Sequence, residues 1–219
     1  MKNFIFTNRF KITVKIIIIL SLLISSCKTN YPIKWTQIES PEYFRARFET
    51  SQGNFEIESR KEWSPRAVER LYQLIKSGYY TDIALFRVIP NYIAQFGIHN
   101  DSTVNHAWEK FSLPDEPLKK ENLKGTISFA RGGKESRSTQ LFINLNNNSP
   151  RLDTISFMGV KGFPVVAQIT SGMEVVEMFY EGYGSELDDK QDSINKYGNK
   201  YLRKNYPKLD YINKAYIIE

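Results

Sequence analysis

Phe86-Arg87-Val88-Ile89-Pro90, followed at once by Tyr92-Ile93-Ala94-Gln95-Phe96-Gly97, is the stretch around which the chain is organised. A second pair of runs answers it: Ser128-Phe129-Ala130-Arg131, then Thr139-Gln140-Leu141-Phe142-Ile143-Asn144. In both pairs apolar and polar residues alternate at the two-residue period of a half-buried strand, so one face enters a core and the other presents Arg87, Gln95 and Gln140. Pro90-Asn91 is turn chemistry between the first two runs. Such a surface can form a pocket, although an arginine alone on a strand is most often a solvated charge.

Outward from this centre, Tyr43 to Glu49 alternates in the same way, Ser51-Gln52-Gly53-Asn54 supplies turn residues, and Phe55 to Glu58 resumes the alternation. A hairpin therefore opens the domain. Ser64-Pro65 is a helix start, with a side-chain acceptor at the N-cap and proline at the first helical position, and Ser77-Gly78 closes the helix. Between them Ala67, Val68, Leu71, Leu74 and Ile75 keep helical spacing.

Ile98 to Lys124 is irregular, with Pro114 and Pro117, and reads as a long surface loop. Thr126 to Ala130 and Leu141 to Leu145 are strands joined by the loop Arg131 to Ser138; Asn146 to Gly162 is a further loop, Val165 to Ile169 a strand, and Gly172 to Tyr180 a short helix. Glu181 to Asn195 reads as an exposed excursion, Tyr197 to Tyr206 as a helix stopped by Pro207, and Ala215 to Ile218 as the last strand. Strands outnumber helices. The expected fold is mainly β, a closed antiparallel β-barrel capped by two α-helices, with a C-terminal helical excursion over 181–208.

With 219 residues, 41% hydrophobic and 14% aromatic, the chain can bury the core of one domain. Lys2, Arg9, Lys11 and Lys15 precede the apolar run Ile16 to Ile24, which is shorter than the ~20 residues of a membrane span but fits a signal-peptide core. The one cysteine follows directly, in Ile24-Ser25-Ser26-Cys27, and looks like a lipobox, with lipid expected on Cys27. The expected division is a signal peptide over 1–26, a tether over 27–42 and one domain over 43–219. Loss of the four basic residues of 1–26, with no acid lost, takes the formal charge from +6 to +2, which argues against nucleic acid as a partner. With no second cysteine for a disulfide, the fold must rely on its core.

The motifs F-R-V-I-P, Q-F-G, and A-R followed by T-Q-L-F-I-N stand in an order that resembles the cyclophilin family of peptidyl-prolyl cis/trans isomerases, over roughly Phe44 to Tyr180. The tail Gly198 to Ile212 is similar to that of a subgroup of exported bacterial members. The resemblance implies a cyclophilin-like barrel, proline-containing polypeptides as substrates and no cofactor. It implies Arg87 as the catalytic residue, with Gln95 holding it or binding the substrate carbonyl. Phe142 resembles the phenylalanine that floors the proline pocket, with Tyr92, Ile93 and Leu152 as walls, and Gln140 the glutamine beside it. Ala130 and Arg131 occupy the stretch whose backbone pairs with an extended substrate. Two positions depart from the pattern: Arg151 replaces a tryptophan that helps bind cyclosporin, and Phe163 aligns with a wall histidine.

This chemistry suits the residues. Rotation about an X-Pro amide faces a barrier of ~20 kcal/mol, because the nitrogen lone pair is delocalised into the carbonyl. A catalyst needs a donor near the prolyl nitrogen in the twisted state and an apolar slot for the ring, and arginine stays charged and presents rigid N–H donors. His99-Asn100-Asp101 with His106 is too sparse for a metal site, and no G-x-S-x-G, Walker or dinucleotide motif is present. The rival reading is a cyclophilin-shaped peptide-binding or chaperone module of the cell envelope with little isomerase activity. A monomer is expected, since no long apolar strip is left over.

Overall fold

The computed structural model describes residues 33–219; the expected signal peptide, Cys27 and the rest of the expected tether up to residue 32 lie outside the described residues. The opening hairpin is β1 (Tyr43–Thr50) and β2 (Gly53–Arg60), paired so that Phe48 faces Phe55, their rings stacked with centroids 4.9 Å apart. Along β1 every second residue is buried, as the alternation requires.

The remaining strands are β3 (Ile83–Ala84), β4 (Arg87–Ile89), β5 (Ile93–Phe96), β6 (Thr126–Phe129), β7 (Leu141–Asn144), the rim hairpin β8 (Ser156–Phe157) and β9 (Val160–Lys161), β10 (Val165–Ser171) and β11 (Tyr211–Ile217). Among the described residues nine of these form one antiparallel sheet in the order β3, β11, β1, β2, β10, β6, β7, β5, β4. The sheet is therefore not the closed barrel expected: β3 and β4 are its two ends and no ladder joins them, which leaves a curled half-barrel. The physical reason lies at Leu85-Phe86, where the chain turns from one end strand to the other. There the gap is filled by side chains, with Ala84 and Phe86 packed against Leu187, Ile194 and Leu202.

Two helices over the barrel is also too few. Helix α1 (Ile33–Thr36) lies within the segment read as a tether, and Gln73 Nε2 donates to the carbonyls of Thr36 and Ile38 at 3.2 and 2.9 Å, so this end of the segment is docked. Helix α2 (Pro65–Lys76) is the expected one, but Ser64 does not accept a cap bond. Its hydroxyl donates to Glu116 at 2.7 Å, and the amides of Arg66 and Ala67 donate to the same carboxylate at 2.8 and 3.1 Å. A carboxylate from a distant loop thus neutralises the positive helix end.

Helix α3 (Ser102–Glu109) runs through the stretch read as a surface loop. It carries Trp108 into the core at 0% exposure and turns Asn105 inward, where its carbonyl oxygen accepts from Tyr79 Oη and the His99 amide, both at 2.7 Å. Two short helices follow, α4 (Arg151–Thr154) and α5 (Met173–Val176), the latter briefer than the helix expected over 172–180.

The largest correction concerns Glu181 to Asn195, expected to be exposed; the helix expected over Tyr197 to Tyr206 is present but begins earlier, at Gln191. A 3-10 turn at Asp188–Lys190 leads into α6 (Gln191–Asn205), and Leu187, Ile194, Leu202 and Tyr206 are buried. At Gly198 (φ 58°, ψ −152°) α6 breaks its helical geometry, and the Asn199 amide donates to Asn100 Oδ1 at 2.7 Å, stitching the segment to the loop before α3. Among the described residues no helix is long and apolar enough to cross a membrane.

Candidate functional site

Register assembles the site. Arg87 pairs with Gln95, Gln95 with Phe142, and Phe142 with Ser128, so one row runs across β4, β5, β7 and β6. Cross-strand partners share a face, and the intervening residues Val88, Ala94, Leu141 and Ile143 turn to the barrel interior, where all are buried. The period-2 alternation of the opening motifs thus puts core on one side of the sheet and the site on the other.

Gly97 closes this arrangement at the end of β5. Its φ is +113°, and a Cβ there would stand 2.5 Å from the Thr139 carbonyl oxygen, so only glycine lets the chain leave β5 so close to the start of β7.

On the outer face a polar chain is fixed by donor chemistry. A guanidinium only donates, so Arg87 Nη1 must meet the oxygen of Gln95, at 3.1 Å. That leaves Gln95 Nε2 to donate to Gln140 Oε1 at 2.9 Å, and Gln140 Nε2 to donate onward to Gln191 Oε1 at 3.0 Å. Each amide orients the next. At its other edge, Arg87 Nε lies 2.9 Å from Asp188 Oδ1 and 3.5 Å from Ser185 Oγ.

Beside this chain is a cavity of about 150 Å³ with an apolar floor and polar rim. Phe142, Ile93 and Leu152 form its buried cluster, with Tyr92, Ala130 and Phe163 packed against them. The Phe142 and Phe163 rings meet edge to face with centroids 5.5 Å apart, and the Arg151 guanidinium covers the Tyr92 ring at 5.1 Å. Arg87, Gln95 and Arg131 complete the lining. All the sequence-predicted site residues among those described are therefore brought together, Gln140 through its bond to Gln95 and the rest around the cavity.

Arg131 is placed differently from a solvent-facing cation. Its side chain is 1% exposed and donates to the carbonyls of Val160, at 3.1 Å, and Gly162, while its guanidinium stacks over Phe163 at 4.6 Å. Burial lowers its pKa from the usual arginine range, an effect that Asp115 opposes. The guanidinium thus braces the rim hairpin and the Phe163 wall. A second hollow of about 280 Å³, lined mostly by polar residues, continues from the cavity through Gln95, Ala130 and Arg131 to Ser138, Gln140 and Gln191.

Three residues of this neighbourhood, Ser185, Asp188 and Gln191, were not anticipated. They sit in the polar stretch that reads as exposed. The one sequence signal was the apolar spacing of Leu187, Ile194 and Leu202, which marks a buried stripe.

The cavity lining contains no carboxylate, histidine, thiol or aliphatic hydroxyl. A fixed guanidinium thus stands beside a slot floored by apolar side chains, a surface with donor chemistry on one side and space for a compact apolar group on the other. The chain belongs to the cyclophilin-type peptidyl-prolyl cis-trans isomerase family, whose model, described as "Cyclophilin type peptidyl-prolyl cis-trans isomerase/CLD", matches residues 45–199. It is 36% identical over 129 residues to peptidyl-prolyl cis-trans isomerase-like 2 of Gibberella zeae, covering 57% of this chain and 22% of that protein. It is 32% identical over 137 residues to peptidyl-prolyl cis-trans isomerase A of Dickeya dadantii, covering 58% of this chain and 66% of that one. The chain thus spans only about a fifth of the Gibberella protein's length. In fold it is similar to a cyclophilin-type isomerase of Cryptosporidium parvum, with a TM-score of 0.54 at 18% identity over 81% of this chain and 98% of that one.

Proposed function

We propose that this protein is a peptidyl-prolyl cis/trans isomerase of exported or envelope polypeptides, a monomer that uses no cofactor and is held at a bacterial membrane by lipid on Cys27, facing the periplasm or the exterior. The observation that carries the activity is the Arg87 guanidinium, oriented by Gln95, at the edge of the cavity formed by Phe142, Ile93 and Leu152. In this reading the prolyl ring enters the cavity and the chain lies along Ala130 and Arg131. As the X-Pro bond twists, its nitrogen lone pair localises and becomes an acceptor that the planar amide lacks. A guanidinium N–H held beside it is stronger in the twisted state than in either ground state, which lowers the barrier without a covalent step.

The Cryptosporidium relative was crystallised in the presence of the dipeptide ala-pro, which supports a proline ligand for this class of groove. The export reading rests on the basic residues, apolar run and Cys27 of the N-terminal sequence.

The test is cis/trans exchange in a short X-Pro peptide, followed by NMR, with the full chain and its Arg87→Ala variant. Acceleration that falls at least about tenfold in the variant is expected, by comparison with loss of an oriented donor elsewhere. No acceleration by either protein, with the peptide still bound, would make this a peptide-binding module instead.

A further inference from the structure

The segment 181–208 does more than close the barrel. Asp188 Oδ1 is 2.9 Å from Arg87 Nε, and Gln191 ends the amide chain that begins at Arg87. We infer that Asp188 is a positioning residue for the isomerase reaction: its carboxylate holds the Nε edge of the Arg87 guanidinium, so that the remaining nitrogen is presented to the substrate. This rests on the isomerase reading above.

The donor inventory of the guanidinium supports the assignment. Asp188 Oδ1 pairs with Nε at 2.9 Å, Ser185 Oγ accepts from the same nitrogen at 3.5 Å and Gln95 takes Nη1, which leaves Nη2 as the nitrogen without a partner among the described residues, on a side chain that lines the cavity. A planar fork fixed at two of its three nitrogens has little freedom to turn the third away. Arg87 is not held this way by the barrel alone, because β4 is only three residues long and lies at the end of the sheet.

The fold also fixes the carboxylate. Leu187, the residue before Asp188, is 0% exposed and belongs to the same apolar cluster as Phe86, the residue before Arg87. Carboxylate and guanidinium therefore each follow a residue of one packed cluster, which anchors the backbone beneath an ion pair whose side chains are 42% and 20% exposed.

The same contact could in principle obstruct the site, with the excursion acting as an inhibitory flap. The geometry argues against that. No residue of 181–208 lines the apolar cavity, and Gln191 reaches only the polar hollow beside it. The excursion grips the catalytic side chain from behind and leaves the ring slot open.

The experiment compares the wild-type chain with Asp188→Ala, Asp188→Asn and Asp189→Ala, each also in an Arg87→Lys background, measuring peptide exchange rate and peptide affinity separately by NMR. The expected result is an exchange rate lowered about fivefold by Asp188→Ala, the upper range for one partly exposed ion pair, with peptide affinity changed less than about twofold. Asp188→Asn, which keeps an oxygen acceptor, restores part of the rate. Asp189→Ala, which removes an equal charge on an exposed side chain paired with Lys190, leaves the rate unchanged. In the Arg87→Lys background, which lacks the fork, the Asp188→Ala effect disappears.

An unchanged or faster rate in Asp188→Ala would overturn the inference, as would an equal loss in both backgrounds, which would mark a general structural effect. A wild-type protein without isomerase activity would instead refute the function proposed above. In that case the Arg87 Nε–H resonance decides the positioning: slow solvent exchange in wild type that becomes fast in Asp188→Ala supports it, and no difference overturns it.

Discussion

Leu202→Ala tests the most consequential departure of the structure from the sequence reading, the packing of 181–208 into the domain. Leu202 is 0% exposed and lies in a cluster that reaches Ala84, Phe86 and Ile98 on one side and Leu187 and Ile194 on the other. Truncation removes roughly three methylene equivalents at ~0.8 kcal/mol each, or about 2.4 kcal/mol of transfer free energy. A residual void of roughly 50 Å³ at ~24 cal/mol per Å³ adds about 1.2 kcal/mol, so the expected loss is about 3–4 kcal/mol. For a domain of this size that corresponds to a melting temperature lowered by roughly 6–16 °C. The assay is urea unfolding followed by tryptophan fluorescence, which reports the barrel because Trp108 is buried beside Tyr79, their ring centroids 6.2 Å apart. A loss below about 1 kcal/mol, with an unchanged denaturant slope, would refute the claim that this segment shares the barrel's core.

Two other outcomes follow from single residues. Burial lowers the pKa of His99 below its ordinary value of about 6.5, and the Asp101 amide donates to its Nδ1 at 3.0 Å, a contact only the unprotonated nitrogen accepts. Below pH about 6.5 the unfolded chain therefore takes up this proton before the folded one, and stability should fall with pH there but not above it; a His99→Gln variant should show a shallower fall, and parallel profiles would refute the assignment. Cys27→Ser should move the protein from the membrane fraction to the soluble fraction on sedimentation, and a variant that still pellets would rule out the lipid anchor.

What was legible in the sequence was local. Alternation at period two located the strands around Arg87, Gln95 and Phe142, and the same alternation, through register, is why these residues share a face. Ser64-Pro65 and Gly78 marked the ends of α2. Yet the capping group is Glu116, more than fifty positions away from Ser64 by sequence, which no local pattern can reveal. Helix α3 was hidden because its buried residues include Asn105, whose polarity is satisfied by Tyr79 and His99 only once the chain is folded.

The sequence by itself determined the β-rich class, the opening hairpin and the two motif runs, because each depends on residues within a few positions of one another; the side chains that line the cavity, spread from Arg87 to Phe163, were implied by the resemblance to the cyclophilin family. Only the tertiary structure decided that the barrel stays open between β3 and β4, that 181–208 fills the gap, and that Asp188 meets Arg87. Those outcomes depend on which distant apolar stripes find each other. Leu187, Ile194 and Leu202 are scattered among charged residues, and their spacing marks an apolar stripe without showing that Phe86 and Ile98 supply the surface that buries it.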